Sequence, residues 1–205
     1  MHHVYIYGPR TAPPPSATCF NVTSKSKVPW TRAFSPFLLG PVDVTPFPET
    51  TLRASCVENA WQYTKLYKCH GDDVDAYWAW ATDGFANPQA VRFPMGRGAK
   101  PLFSYWHGEP LGYIEARYRI YAPLYAQAVE TYAATELAQL REALRHGDIA
   151  LFDYDGYRHD TRGLSLDDVL YNPKRKMGHA FVLAMMLTDQ RVWEREAFDP
   201  KKIRE

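Results

Sequence analysis

The sequence predicts a mainly α-helical single domain with a few short β-strands, on three observations. Apolar residues recur at helical spacing over 52–67 and 111–145, and 177–187 is a strongly apolar run. Strand patterning is confined to short stretches such as 3–7 and 149–152. No internal repeat divides the 205 residues, a length that one domain with a sizeable core accommodates.

His3 to Tyr7 alternates β-branched and aromatic residues and reads as a strand. The run TAPPPSAT that follows reads as a turn or linker, so residues 1–29 form an N-terminal strand with a proline-rich extension, including a short strand within Cys19 to Val28. Pro29, Pro36, Pro41, Pro46 and Pro48 make 29–51 an ordered loop, because proline removes a backbone donor and fixes φ. A helix is expected from Leu52 to Tyr67, and a second from near Asp73 to just before Asn87-Pro88. The stretch RFPMGRGAKP is a glycine-containing loop. A long helical region runs from Leu111 to Arg145, interrupted near Pro123 and ended by His146-Gly147. Ile149 to Phe152 is a buried strand, 153–163 a loop, Leu164 to Leu170 a short helix and Met177 to Leu187 a buried one. Residues 188–205 are a charged tail.

The composition, 46% hydrophobic and 23% charged, is that of a folded globular chain. A net charge of +1 gives no support to a broad duplex-DNA-binding face, although it leaves open a polynucleotide held at one point. Cys19, Cys56 and Cys69 are odd in number and lack CxxC spacing, which points to a reducing, cytoplasmic setting. The start MHHVYIYGPR lacks a signal-peptide layout, and no apolar run has the length of a membrane span. Cys69-His70 has no second ligand pair at metal-site spacing, so no metal is expected, and no GxSxG elbow occurs.

Four stretches can carry chemistry. On a helix, Glu58, Gln62 and Lys65 fall at i, i+4 and i+7 on one face, flanked by Trp61. One acid, one base and one large ring can hold a sugar and a flat base, and the same pattern also describes a solvated polar stripe. Asp153 and Asp155, two apart after a strand, point the same way when extended, or form an Asx-type turn. Arg97 and Lys100 among glycines can meet a phosphate or lie on a plain surface turn. Trp106 and His107 precede a helix whose Glu115, Arg117 and Arg119 read as surface ion pairs, with Tyr113, Tyr118 and Tyr121 as core.

In order, these pieces resemble the NADAR family of N-glycosidases. The family's aromatic-Ser-x-Phe element is similar to Phe34-Ser35-Pro36-Phe37, and its E-x-x-[aromatic]-Q-x-x-K helix to Glu58–Lys65. Its Trp before a basic helix resembles Trp106 and ARYRIYAPLYAQ. Its loop aspartate falls at Asp155, and its last helix opens like Met177-Gly178-His179-Ala180. The resemblance spans most of 30–187 by spaced motifs. It departs where Tyr157-Arg158 replaces Trp-Gly and where Arg175 falls at an expected Asn, as in a divergent, phage-type member.

The resemblance implies a single NADAR-like multihelical domain that cleaves a ribose C–N bond without metal or redox cofactor. Its substrate is an ADP-ribose-type nucleotide, free or as a modification of nucleic acid. Glu58, Lys65 and Asp155 are the implied catalytic set, with Lys65 acting on the leaving group or attacking C1 of an opened ribose. Trp61, Gln62, Trp106, Arg97, Lys100, Phe37 and Tyr157 line the substrate. The altered loops also fit a catalytically silent protein that sequesters such a nucleotide.

Overall fold

The computed structural model describes residues 2–71 and 74–203. Its elements run β1 Val4–Tyr7, β2 Thr18–Asn21, α1 Pro29–Arg32, β3 Val42–Phe47, β4 Thr50–Ala54, α2 Val57–Tyr63, β5 Lys65–Tyr67, α3 Val74–Ala86, β6 Pro101–Trp106 and β7 Glu109–Leu111. Then follow α4 Tyr113–Ala116, a π-helical turn Arg117–Tyr121, α5 Ala122–Tyr132, α6 Ala134–His146, β8 Ile149–Phe152, α7 Leu166–Leu170, α8 His179–Leu187 and α9 Val192–Arg195.

The expectation of a mainly helical fold is corrected: the chain is an α/β mix, 42% helix and 18% strand in three small sheets. The extra strands lie where proline and helical periodicity masked them. Residues expected as a proline loop form the antiparallel β3–β4 hairpin, with Pro46 at a register break between Val44 and Phe47 that spares the ladder a missing donor. The helix expected over Leu52 to Tyr67 is confined to Val57–Tyr63. Leu52 belongs to β4, and Lys65 opens β5, which pairs antiparallel with β6 through Lys65 and Ser104. The expected start of α3 at Asp73 lies outside the described residues.

The break in the long helical region falls at Ala133, not Pro123. Pro123 sits in the first turn of α5, directly after the π turn, where its missing N–H falls at a change of hydrogen-bond register. β8 lies between β1 and β2, parallel to both, so the N-terminal segment is built into a sheet. Every residue of α8 is buried, which its apolar circumference requires, and α8 packs on α5, β1 and β8. No helix among the described residues is long and apolar enough to cross a membrane.

Candidate functional site

A cavity of about 870 Å³ opens between α2, the π turn, the end of β8, the 92–101 loop and the connection into α8. Helix α2 is nearly all buried and turns Glu58 and Gln62 toward this space. Lys65 reaches the same wall from β5 rather than from a third helical turn. The Gln62 amide lies between the other two groups: its Nε2 donates to Glu58 Oε1 at 2.9 Å, and its Oε1 accepts from Lys65 Nζ at 2.9 Å. Lys65 Nζ also sits 4.2 Å from the Trp61 ring centroid, at cation–π range.

Burial dominates both ionisable groups. It pushes the Glu58 carboxyl up, against the Gln62 hydrogen bond and the positive charges of Lys65, Arg92 and His179. It pulls the Lys65 ammonium down to about 7, against the attraction of Glu58 and with Lys176 adding repulsion. Near neutrality this wall therefore offers an acid that resists ionising and an amine that sheds its proton.

Asp153 and His179 line the same cavity. His179 Nε2 donates to the Val22 carbonyl at 2.8 Å, and Nδ1 lies 3.0 Å from Asp153 Oδ2. Both ring nitrogens thus face acceptors, which requires the imidazolium if Asp153 is ionised. Asp153 also accepts the backbone N–H groups of Ala180 and Asp155, each at 3.1 Å. Burial opposes ionisation of Asp153, but His179 and these donors outweigh it and hold the carboxyl at about 2. Burial likewise opposes the charge on His179, and Asp153 outweighs it, raising the imidazole above its ordinary value. Gly178 is required here, since a Cβ would stand 2.1 Å from Asp153 Oδ2.

Of the residues anticipated from sequence, Glu58, Trp61, Gln62, Lys65, Phe37, Lys100 and Asp155 line the cavity. Asp155 is ion-paired to Arg92 at 2.9 Å and half-buried. Arg97, Trp106 and Tyr157 are not among the lining residues. The Arg97 guanidinium lies 5.7 Å from the Phe93 ring. Trp106 borders a separate small cleft with Trp193. Tyr157 is buried against Phe181 and capped by Arg175.

Asp153, read from the sequence beside Asp155 as a carboxylate that can carry chemistry but not assigned to the site, lines the cavity, and sequence reading missed His179, Arg117 and Tyr121 there. Arg117 and Tyr121 come from the π turn, a register change common at functional sites. Arg117 was expected at the surface but is only 1% exposed. Its guanidinium donates to the Asn172 and Arg175 carbonyls and the Tyr113 hydroxyl, and among the described residues it forms no ion pair with a carboxylate. An available signal was the spacing itself, since Tyr113, Arg117 and Tyr121 repeat every four residues.

Eight Lys and Arg side chains line the cavity against three carboxylates, although the whole chain carries a net charge of only +1. Among the described residues no group of three His, Cys, Asp or Glu is arranged to hold a metal ion.

Fold and site together define an α/β protein with a large, cation-rich cavity walled in part by aromatic rings. The chain belongs to a family of unknown function, DUF6939, whose pattern it matches over residues 10–166. That span contains Glu58, Gln62, Lys65, Asp153 and Asp155, while Arg175 and His179 lie beyond it. No curated protein matches the chain.

Proposed function

We propose that the protein is an N-glycosidase that hydrolyses the C–N bond of a ribose-containing, phosphate-bearing nucleotide-like substrate. The observation that carries the reading is the buried Glu58–Gln62–Lys65 line on one wall of a cation-rich cavity. The motif resemblance to NADAR N-glycosidases supports it from the sequence.

Positive charge develops at ribose C1 as the C–N bond breaks, and the half-buried Asp155 carboxylate in the cavity offsets it. The bond's electron pair leaves with the base nitrogen, which takes a proton from the Glu58 carboxyl, whose ionisation burial disfavours. Water adds at C1 and gives its proton to the neutral Lys65 amine. Proton return from Lys65 to Glu58 through cavity water resets the pair. Trp61 offers a ring face to the base, and Arg117, Arg175 and Lys100 supply positive charge for phosphate oxygens.

A second reading, a protein that sequesters such a nucleotide unchanged, is favoured by one observation: Asp155 is already engaged by Arg92. The test is incubation with stoichiometric ADP-ribosyl nucleoside, followed by calorimetry and chromatography. Released nucleoside with free ADP-ribose is the expected result. Tight binding with intact ligand recovered selects sequestration, and neither binding nor cleavage overturns both readings.

A further inference from the structure

The Glu58 and Lys65 side chains share one buried wall, yet among the described residues Lys65 forms no ion pair with a carboxylate. Opposite charges brought that close in a poorly solvated space ordinarily collapse into contact, because direct pairing is what offsets their desolvation. The Gln62 amide occupies that space, its N–H on the acid and its carbonyl on the amine. Its orientation is set by its neighbours: a carboxyl oxygen on one side needs a donor, and an amine N–H on the other needs an acceptor.

We propose that Gln62 is a positioning residue, an uncharged spacer that keeps the Glu58 carboxyl and the Lys65 amine from closing into an ion pair and holds the amine by one N–H over the Trp61 ring. This role rests on the glycosidase reading for its purpose but not for its physics.

A Lys65 amine in direct contact with a carboxylate stays protonated and is useless as a base. Held instead by a neutral carbonyl, it gains one hydrogen bond and only the more distant attraction of Glu58, so its burial outweighs that attraction. The groups that face the line are few. Glu58 and Trp61 come from α2, Lys176 from the connection into α8, and Ser104 opposes Lys65 across β6. Arg92 and His179 act on Glu58 from the 92–101 loop and α8, and the Tyr121 hydroxyl from the π turn and the Cys56 thiol just before α2 also lie within its electrostatic reach. None of these supplies Lys65 with a second carboxylate, so the spacer alone stands between it and Glu58.

The test reads Lys65 in the free protein, without substrate, by NMR of isotope-labelled lysine Nζ and Cε against pH, with the signal assigned by its loss in Lys65→Arg. The wild-type midpoint is expected near 7. Gln62→Glu places a carboxylate directly on the amine and is expected to raise the midpoint by about 1–3 pH units. Should that variant fold poorly, Gln62→Ala serves: removing the spacer lets Glu58 close on Lys65, and the midpoint rises again. A rise caused only by water entering the gap survives in the double variant Glu58→Gln/Gln62→Ala, whereas a rise caused by Glu58 disappears there. An unchanged midpoint in Gln62→Glu, or a rise that persists in the double variant, overturns the spacer role. Because no turnover is measured, this result stands apart from whether the protein cleaves a glycosidic bond.

Discussion

Two acid–base pairs line one cavity at nearly the same depth, and their ionisation is pushed in opposite directions. Asp153 and His179 are 4% and 6% exposed, and Glu58 and Lys65 are 6% and 8% exposed, so burial does not distinguish them. Contact does. Asp153 touches His179 directly and collects two backbone N–H donors, and both groups are held charged. Glu58 and Lys65 meet through an amide, and both are driven toward neutrality. Both ring nitrogens of His179 and both carboxylate oxygens of Asp153 have protein partners, which ties β8, the end of β2 and the start of α8 together. The second pair keeps labile protons beside an aromatic wall. Equal burial thus yields a charged, directly bonded pair in one case and a pair pushed toward neutrality in the other.

Removing one partner from each pair breaks or sharpens this contrast. Asp153→Ala leaves an imidazolium buried without its anion and is expected to cost about 3–5 kcal/mol in denaturant unfolding. Glu58→Gln keeps a side-chain acceptor for Gln62 and removes an acid that burial disfavours in ionised form, so its expected cost is under about 1 kcal/mol. Equal losses in the two variants break the comparison. Gly178→Ala drives a methyl into the Asp153 carboxylate and is expected to cost about 1–3 kcal/mol, with the His179 imidazole signals shifting in NMR.

The charged pair also carries a pH signature. The Asp153 carboxyl falls from an ordinary 3.8 to about 2 in the fold. A depressed carboxyl stabilises the fold above its unfolded value, and that contribution is lost as pH falls through the folded one. About 2 kcal/mol of stability should therefore fade between roughly pH 4 and 2, and Asp153→Asn should flatten that part of the acid-unfolding curve. The smallest effect is expected at the half-exposed Arg92–Asp155 pair, where Arg92→Ala changes stability by under about 1 kcal/mol.

How much of this was legible depended on whether chemistry or topology made each feature. β8 was readable as Ile149 to Phe152 because four apolar residues bounded by Gly147 and Asp153 leave few alternatives. The apolar run of α8 was equally plain. The β3–β4 hairpin was hidden because Pro46 and Pro48 argue against a ladder that a register shift in fact accommodates. Glu58, Gln62 and Lys65 were found together, but by helical spacing that ends at Tyr63. Lys65 joins them because β5 turns back along β6. His179 entered the sequence reading only as part of the opening of an apolar helix, and the parallel sheet brings Asp153 and Val22 to its two nitrogens.

The glycosidase reading is tested most directly at the anomeric carbon. A ribosyl substrate labelled with carbon-13 at C1 is followed by NMR with the wild-type protein and with Glu58→Gln. The account predicts that the nitrogen-bonded C1 signal gives way to that of the free sugar with the wild type, and that Glu58→Gln slows this by about 10²–10⁴-fold. A C1–nitrogen signal that persists with the wild type bound, or equal conversion by Glu58→Gln, contradicts it.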